Sequence, residues 1–316
     1  MNQITHARPH GIGGTDISAI LGFSPYRTPV QLWAEKVGLS NPETTEEIHL
    51  RFGQHLEPFV ATEYERVTGL HTIAPDGPLF HAEHSFMFAN VDRLVTTSKS
   101  DPAFQVGRVV ANRILECKTS SVFGSKGWGE VGTDQVPAHY LLQCAWYLAV
   151  ANIERADIAV LIGNNDFRVY SIARVHRLEG LLLESAKRFW NVNVKGKVPP
   201  AIQTVHDAHL LFASEVPGSQ LEASARELEL IEKYEHARLK ASEIEKETQE
   251  IKAELLACMG TAQDLTHNGT VIASWRSIKA VKRLDVRALR VAHPEIAERF
   301  SITGQATRRF VLQGTD

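Results

Sequence analysis

Apolar residues recur along the first two hundred positions with two periods, and the switches between them mark the elements. Gly11-Ile12-Gly13-Gly14-Thr15-Asp16 leads into a run of small and apolar residues to Leu21 that reads as a short helix, with Thr15 or Asp16 able to cap it. A loop at Ser24-Pro25-Tyr26-Arg27-Thr28-Pro29 precedes a second short helix, Val30 to Val37. Helical spacing returns from Leu50 to Thr68 and stops at Gly69. Phe86 to Val95 and Val109 to Leu115 read as strands, the second broken only by Asn112-Arg113. A glycine-rich loop follows at Phe123 to Gly132, and Pro137 opens a helix to about Val150. Ile158 to Ile162 and Phe167 to Ile172 form a hairpin around Gly163-Asn164-Asn165-Asp166, and Leu178 to Val194 is an amphipathic helix. Pro199-Pro200 is expected to end the compact part. This order predicts an α/β fold with a central mixed β-sheet flanked by helices.

From about Gln220 to Met259 the pattern changes. Apolar and small residues from Leu230 to Cys258 alternate in steps of four and three, while Glu, Lys, Arg and Gln fill the rest. That is a long helix with a narrow packing seam. Thr270 to Trp275 then reads as a strand, Val286 to Arg299 as a helical segment interrupted by Pro294, and Phe310-Val311-Leu312 as a final strand. The expected division is a core at 1–215, the long amphipathic helix at 216–262 and a small basic α+β extension at 263–316.

Composition narrows the class without choosing a function. The chain has 316 residues, 43% hydrophobic and 22% charged, as in an ordinary globular protein. No apolar run reaches the length of a membrane span, and Met1 to His10 lacks a signal-peptide pattern. The three cysteines, Cys117, Cys144 and Cys258, fit no disulfide framework or zinc ribbon, so a cytoplasmic setting is expected. The net charge of −3 does not point to nucleic acid. Its distribution is uneven, however: between Arg276 and Arg309 basic residues outnumber acidic ones, a stretch that is solvated surface or a polyanion attractant.

The candidate chemistry lies at Asp92 and Glu116-Cys117-Lys118. If the two strands pair antiparallel, a hairpin loop at about Thr96 to Gly107 returns Asp92 beside Glu116. Glu116 and Lys118, two residues apart, then share one face. Two carboxylates offer hard oxygen ligands suited to Mg²⁺, and a lysine beside them can hold or deprotonate water. Taken alone, Glu-x-Lys at a strand end is equally well a surface salt bridge. Cys117 points the other way and is expected to be buried rather than reactive.

Five motifs in one order give this pair a context: Gly11-Ile-Gly-Gly-Thr-Asp16, Arg51-Phe-Gly-Gln-His-Leu-Glu57, Asp92, Glu116-Cys-Lys118, and Gln143 with Tyr147. Together they resemble the YqaJ-like viral recombinase family, relatives of phage lambda exonuclease within the PD-(D/E)xK nuclease superfamily. The resemblance covers about residues 6 to 195. Trp275-Arg276, Lys282-Arg283-Leu284-Asp285 and Arg308-Arg309-Phe310 also look like the tail of longer members. It implies that Asp92, Glu116 and the Cys117 backbone carbonyl hold Mg²⁺, with Mn²⁺ as a substitute, and that Lys118 positions or activates the attacking water. Glu57 would orient water or complete the metal shell. Gln143 would donate to a phosphate or hold Lys118, with Tyr147 supporting that face or simply belonging to the core, and Tyr140 on the neighbouring face. Arg8, Thr15 and Arg27 fit the positions that hold a terminal 5′-phosphate. The aromatics between Phe123 and Trp128 could stack on a separated base. Asp92 follows Asn90-Val91 rather than proline, so the literal Pro-Asp signature is missing, and Ser98 to Gly107 lengthens the hairpin.

The implied activity is a metal-dependent exonuclease that digests one strand of linear double-stranded DNA from a 5′-phosphate end. It would leave 3′ single strands for a single-strand annealing protein in phage-type recombination. A trimeric ring is implied by resemblance only, as is a bacterial host cytoplasm for a phage or prophage product. Two other readings stay open: a structure-specific or restriction-type endonuclease, and a non-enzymatic DNA-binding scaffold assembled through the long helix.

Overall fold

The computed structural model describes residues 10–40, 48–100, 103–105, 108–302 and 307–313. Contacts divide the chain into two compact units, 1–213 and 214–316. The first begins with helices α1 (Gly14–Ile20), α2 (Pro29–Lys36) and α3 (Ile48–Thr68). Strands β1 (His71–Ile73), β2 (Leu79–Phe80), β3 (Phe88–Ala89), β4 (Arg93–Thr96), β5 (Phe104–Gln105), β6 (Arg108–Val109) and β7 (Arg113–Ser120) follow, then a 3₁₀ turn at Val122–Gly127. Helix α4 (Ala138–Ala151), the hairpin β8 (Arg155–Ile162) and β9 (Asp166–Ala173), and α5 (His176–Arg188) complete the core, α5 running on into a π-helical turn, Phe189–Lys195.

Five strands form one mixed sheet in the order β1-β4-β7-β8-β9, antiparallel except for the β7–β8 pair. The expected fold class, a mixed sheet flanked by helices, is thus observed. Strand alternation sorts β7 and β8 between two cores. Ile114 with Ala156, Ile158 and Val160 faces the larger core, shared with α1, α2, α4 and α5. Leu115 with Ala159 and Leu161 faces a smaller core covered by Val60, Ala61 and Tyr64 of α3. Cys117 packs at the edge of that smaller core, as its place between Glu116 and Lys118 predicts. A buried polar group lies within the α3 layer, where the Asp157 carboxylate accepts from Tyr64 Oη at 2.6 Å and from Arg113 Nη1 at 2.5 Å.

Three sequence expectations need correction. The strand expected over Phe86 to Val95 is two strands separated by Asn90-Val91-Asp92: β3 pairs with β2, while β4 joins the main sheet. Val109 to Leu115 is likewise split, because Val109 pairs back to Phe104 and the main strand starts only at Arg113. The compact part does not stop at Pro199-Pro200. Helix α6 (Val205–Leu211) returns to the core, where Leu210 and Leu211 pack, and buried Asp207 accepts from Thr28 Oγ1 at 2.5 Å.

The glycines at the chain's beginning are explained by close approach. Ile12 N donates to Phe86 O at 2.7 Å and Phe88 N to Ile12 O at 3.0 Å, so a Cβ on Gly11 would lie 2.2 Å from the Phe86 carbonyl oxygen. A Cβ on Gly14 would lie 2.4 Å from the Tyr147 ring, the point where α1 crosses α4. Neither Thr15 nor Asp16 is the N-cap. Gly13 is, and its N–H donates to Asp16 Oδ2 at 2.9 Å.

Asp16 also ties α1 to α2, accepting from Lys36 Nζ at 2.8 Å and pairing with Arg27. Burial alone would raise its carboxyl, but Lys36 and Arg27 hold it below the ordinary aspartate value. A depressed folded-state pKa stabilises the fold fully above the unfolded value of about 4, and that contribution disappears as pH falls through the folded value. Thermal melts of wild type and Asp16→Asn between pH 7 and pH 3 should therefore start apart, with the wild type more stable, and converge on acidification. A constant gap would contradict this role.

In the second unit, α7 (Ala225–Met259) is one continuous helix, capped by Ser224, whose side chain accepts from Arg226 N. Strands β10 (Asp264–His267) and β11 (Thr270–Ser274) form a hairpin, followed by α8 (Val286–Ala292) and α9 (Pro294–Arg299). The strand at β11 and the break at Pro294 match the sequence pattern; β10 is an element that the pattern missed. Phe310-Val311-Leu312 forms no strand.

Candidate active site

Register decides the site. Arg93 pairs with Leu115, so the next residues outward, Asp92 and Glu116, stand opposite each other where the β4–β7 ladder ends. There Asp92 Oδ2 accepts the Cys117 backbone N–H at 2.7 Å, a side chain replacing the ladder partner the main chain no longer supplies. Glu116 and Lys118 project towards α4, and the Lys118 ammonium pairs with Glu116 Oε1. On α4, Gln143 Nε2 donates to the same Glu116 oxygen at 2.7 Å and lies 2.8 Å from Tyr147 Oη. The amide therefore holds the carboxylate, rather than Lys118. Tyr140, one turn earlier, lies beneath the ammonium, 4.9 Å from Nζ to the ring centroid.

The electrostatics are those of a site with surplus negative charge. Asp92 is pushed well above the usual carboxylate range by burial and by Glu116. Glu116 is raised chiefly by burial, which outweighs the help of Lys118. Burial would lower the Lys118 ammonium, but Glu116 and Asp92 together push it up, so it is held charged. Glu116 Oε2 is buried and has no hydrogen-bond partner. A buried carboxylate oxygen with nothing to accept from is costly, and a divalent cation is the kind of group that satisfies it. The oxygen donors gathered here, Asp92 and Glu116, are of the chemical kind that suits a hard metal ion.

The other expected residues are placed unevenly. Among the described residues, no cluster of three or more His, Cys, Asp or Glu stands close enough to hold a metal. Glu57 is near enough to raise both site carboxylates, yet it pairs with Arg93 Nη1 at 2.6 Å. Thr15 is exposed and lines a pocket with Gly13, Gly14, Asp16, Phe88, Asn90 and Tyr147. Arg27 is committed to Asp16 and, at 2.6 Å, to Glu35. Arg8 lies outside the described residues. Of the aromatics after β7, Phe123 is 93% exposed, whereas Trp128 is buried against Tyr140 and Tyr170. Trp128 therefore cannot stack on a base; it supports the floor beneath Lys118.

Three neighbours were missed in the sequence. Asn90 lines the pocket two residues before Asp92. Tyr26, from the Ser-Pro-Tyr turn, meets His139 edge-on at 5.9 Å and interacts with the Tyr140 hydroxyl. His139 packs 4.0 Å from the Tyr140 ring, and burial and Lys118 both lower its pKa. Only the position of His139 beside Tyr140 on α4 could have signalled it.

Residues 4–154 match the model of the YqaJ-like viral recombinase domain. The uncharacterized protein YqaJ of Bacillus subtilis (strain 168) is 30% identical over 298 residues, covering 92% of this chain and 88% of that protein. Among solved structures, an alkaline exonuclease from Laribacter hongkongensis gives a TM-score of 0.44 at 13% identity, covering 60% of this chain and 90% of that one. A phage related exonuclease from Haemophilus somnus 129PT gives 0.41 at 14% identity, over 60% and 96%. The domain match spans the helices and strands that carry Asp92, Glu116, Lys118 and Gln143, and the relative extends it over nearly the whole length: this chain belongs to the YqaJ-like viral recombinase family.

Proposed function

We propose that the protein is a metal-dependent deoxyribonuclease, an exonuclease that digests one strand of linear duplex DNA in the 5′ to 3′ direction. The observation that carries this reading is the convergence of Asp92, Glu116 and Lys118 at the end of one strand pair, with a buried carboxylate oxygen left unsatisfied. Bound there, Mg²⁺ or Mn²⁺ would lower the pKa of a water and offset charge on a phosphate oxygen. The chain's own groups do the rest. Asp92 and Glu116 fix the ligand positions, the first through Cys117 N–H and the second through Gln143. The Cys117 carbonyl is a further oxygen donor in the proposed set. Lys118, held charged, orients the attacking water and stabilises the negative charge that develops on the phosphate. Without metal, Glu116 and Asp92 hold Lys118 as an ammonium; a cation shared by those carboxylates would weaken that hold, so positioning and activation of the water both stay within the proposed role.

Thr15, exposed on the rim of its pocket, and Tyr140, beneath Lys118, would contact the substrate strand, and buried Tyr147 would support that face through Gln143, with Arg8 and Arg27 assigned to the terminal phosphate by family likeness. Arg27 would have to exchange at least one of its two carboxylate partners for that phosphate. Glu57 would orient water from the edge of the site once released from Arg93. Recombination through a single-strand annealing partner, and a trimeric ring around the DNA, belong to the same proposal.

Linear duplex carrying a label at a 5′-phosphate, 5′-hydroxyl or 3′ end, with and without Mg²⁺, tests it directly. Nucleotides should be released from the 5′-phosphorylated end only with metal, and closed circular duplex should survive. Cleavage of the circle would establish an endonuclease instead. No metal-stimulated release from any substrate would leave the scaffold reading.

A further inference from the structure

Helix α7 carries one face of apolar and small residues from Leu230 to Cys258. Its apolar and small residues recur in alternating steps of four and three for about four heptads, the spacing at which two helices supercoil around each other. In the single chain that seam faces outward: Leu230 is 55% exposed, Ile244 62% and Ile251 52%. Phe310 meets Tyr234 edge-on at 5.8 Å, near the start of the seam. At about 1.5 Å per residue the seam is about 43 Å long. A strip roughly 10 Å wide on each of two helices amounts to about 900 Å², at the low end for a specific interface, so association is expected to be weak and concentration-dependent.

The residues bordering the seam say what covers it. In the N-terminal half the charged borders are Arg226, Lys233, Arg238 and Lys240, all basic. In the C-terminal half they are Glu245, Glu247 and Glu254, with Lys252 the exception. Two copies side by side in parallel would set Lys233 of one against Arg238 of the other. Two copies running in opposite directions lay each basic half on an acidic half. Border charges set both partner and orientation in coiled coils, so this segregation selects an antiparallel pair.

We propose that α7 is a self-association element that joins two copies of this chain through an antiparallel coiled coil. The proposed nuclease chemistry plays no part in it. The mass of the full-length protein should be measured by light scattering and sedimentation between about 1 and about 100 μM, since assembly follows mass action. Wild type should show at least twice the mass of an Ile244→Glu, Ile251→Glu double variant. Both positions are exposed in the single chain, so circular dichroism of the variant should match wild type. Equal masses would overturn the proposal, including the case in which the chain's own tail covers the seam.

Orientation is read by cysteine crosslinking in a Cys258→Ser background. Leu230→Cys together with Leu255→Cys should form a disulfide-linked dimer, whereas Leu230→Cys alone should not. A crosslink through Leu230→Cys alone would overturn the antiparallel arrangement.

Discussion

Lys118→Ala should slow phosphodiester cleavage by roughly 10²–10³-fold, the usual cost of removing one preorganised donor to transition-state charge, while DNA binding stays largely intact. The expected split follows from where the ammonium sits. Its side chain is 18% exposed, enclosed between Glu116 and the Tyr140 ring, so it contributes little to the outer surface that meets the duplex. Its effect is confined to a reaction centre where water is scarce and charge is poorly screened. Single-turnover rates with Mg²⁺, measured beside equilibrium binding of the same duplex without metal, separate the two. A variant that cleaves as fast as wild type would remove Lys118 from the reaction, and one that no longer binds DNA would give it a different role.

Asp92→Asn is the second large effect, and it has two opposite signs. Cleavage should be lost, because one of the two proposed carboxylate ligands is gone. The metal-free variant should nevertheless melt higher than metal-free wild type. Half-buried Asp92 and buried Glu116 stand side by side with a single ammonium, Lys118, which pairs with Glu116, and the folded state raises both carboxyl pKa values. A carboxyl whose folded pKa is raised costs stability above that pKa, and the cost vanishes below its unfolded value. Asparagine keeps an oxygen to accept from Cys117 N–H and removes the charge. The relief should appear as a rise in melting temperature of the variant over wild type in chelator. The gap between variant and wild type should close as pH falls from 7 towards 4, where the wild-type carboxyls protonate. Mg²⁺ should raise the wild-type melting temperature and leave the variant unmoved. Equal melting in chelator, with equal response to Mg²⁺, would mean that these carboxylates do not form a metal site. The trade is the common one in which a functional site keeps groups that the fold alone would discard.

How far the sequence reaches differs from residue to residue. Glu116 and Lys118 share a face because side chains alternate along any strand, and the placement of Cys117 follows from the same rule. Gln143 and Tyr147 meet because residues four apart are neighbours on a helix. Gly163 to Asp166 ends one strand and starts the next as its turn chemistry predicts. The seam of α7 is likewise a local period, visible without coordinates.

Longer-range facts were not legible. Nothing near Asn90-Val91-Asp92 announces a break between two strands, because the break exists only where Phe88 leaves to pair with Phe80 and Arg93 begins to pair with Leu115. Arg27 looks free in its loop until folding brings Asp16 and Glu35 within reach. Trp128 looks like a base-stacking residue until Tyr140 and Tyr170 enclose it. Period and spacing fix which side chains share a face, since those depend on the geometry of a few consecutive residues. Which faces meet, which charges are already paired and which carboxylate oxygen is left unsatisfied depend on contacts between segments far apart in the chain, and those exist only in the folded molecule.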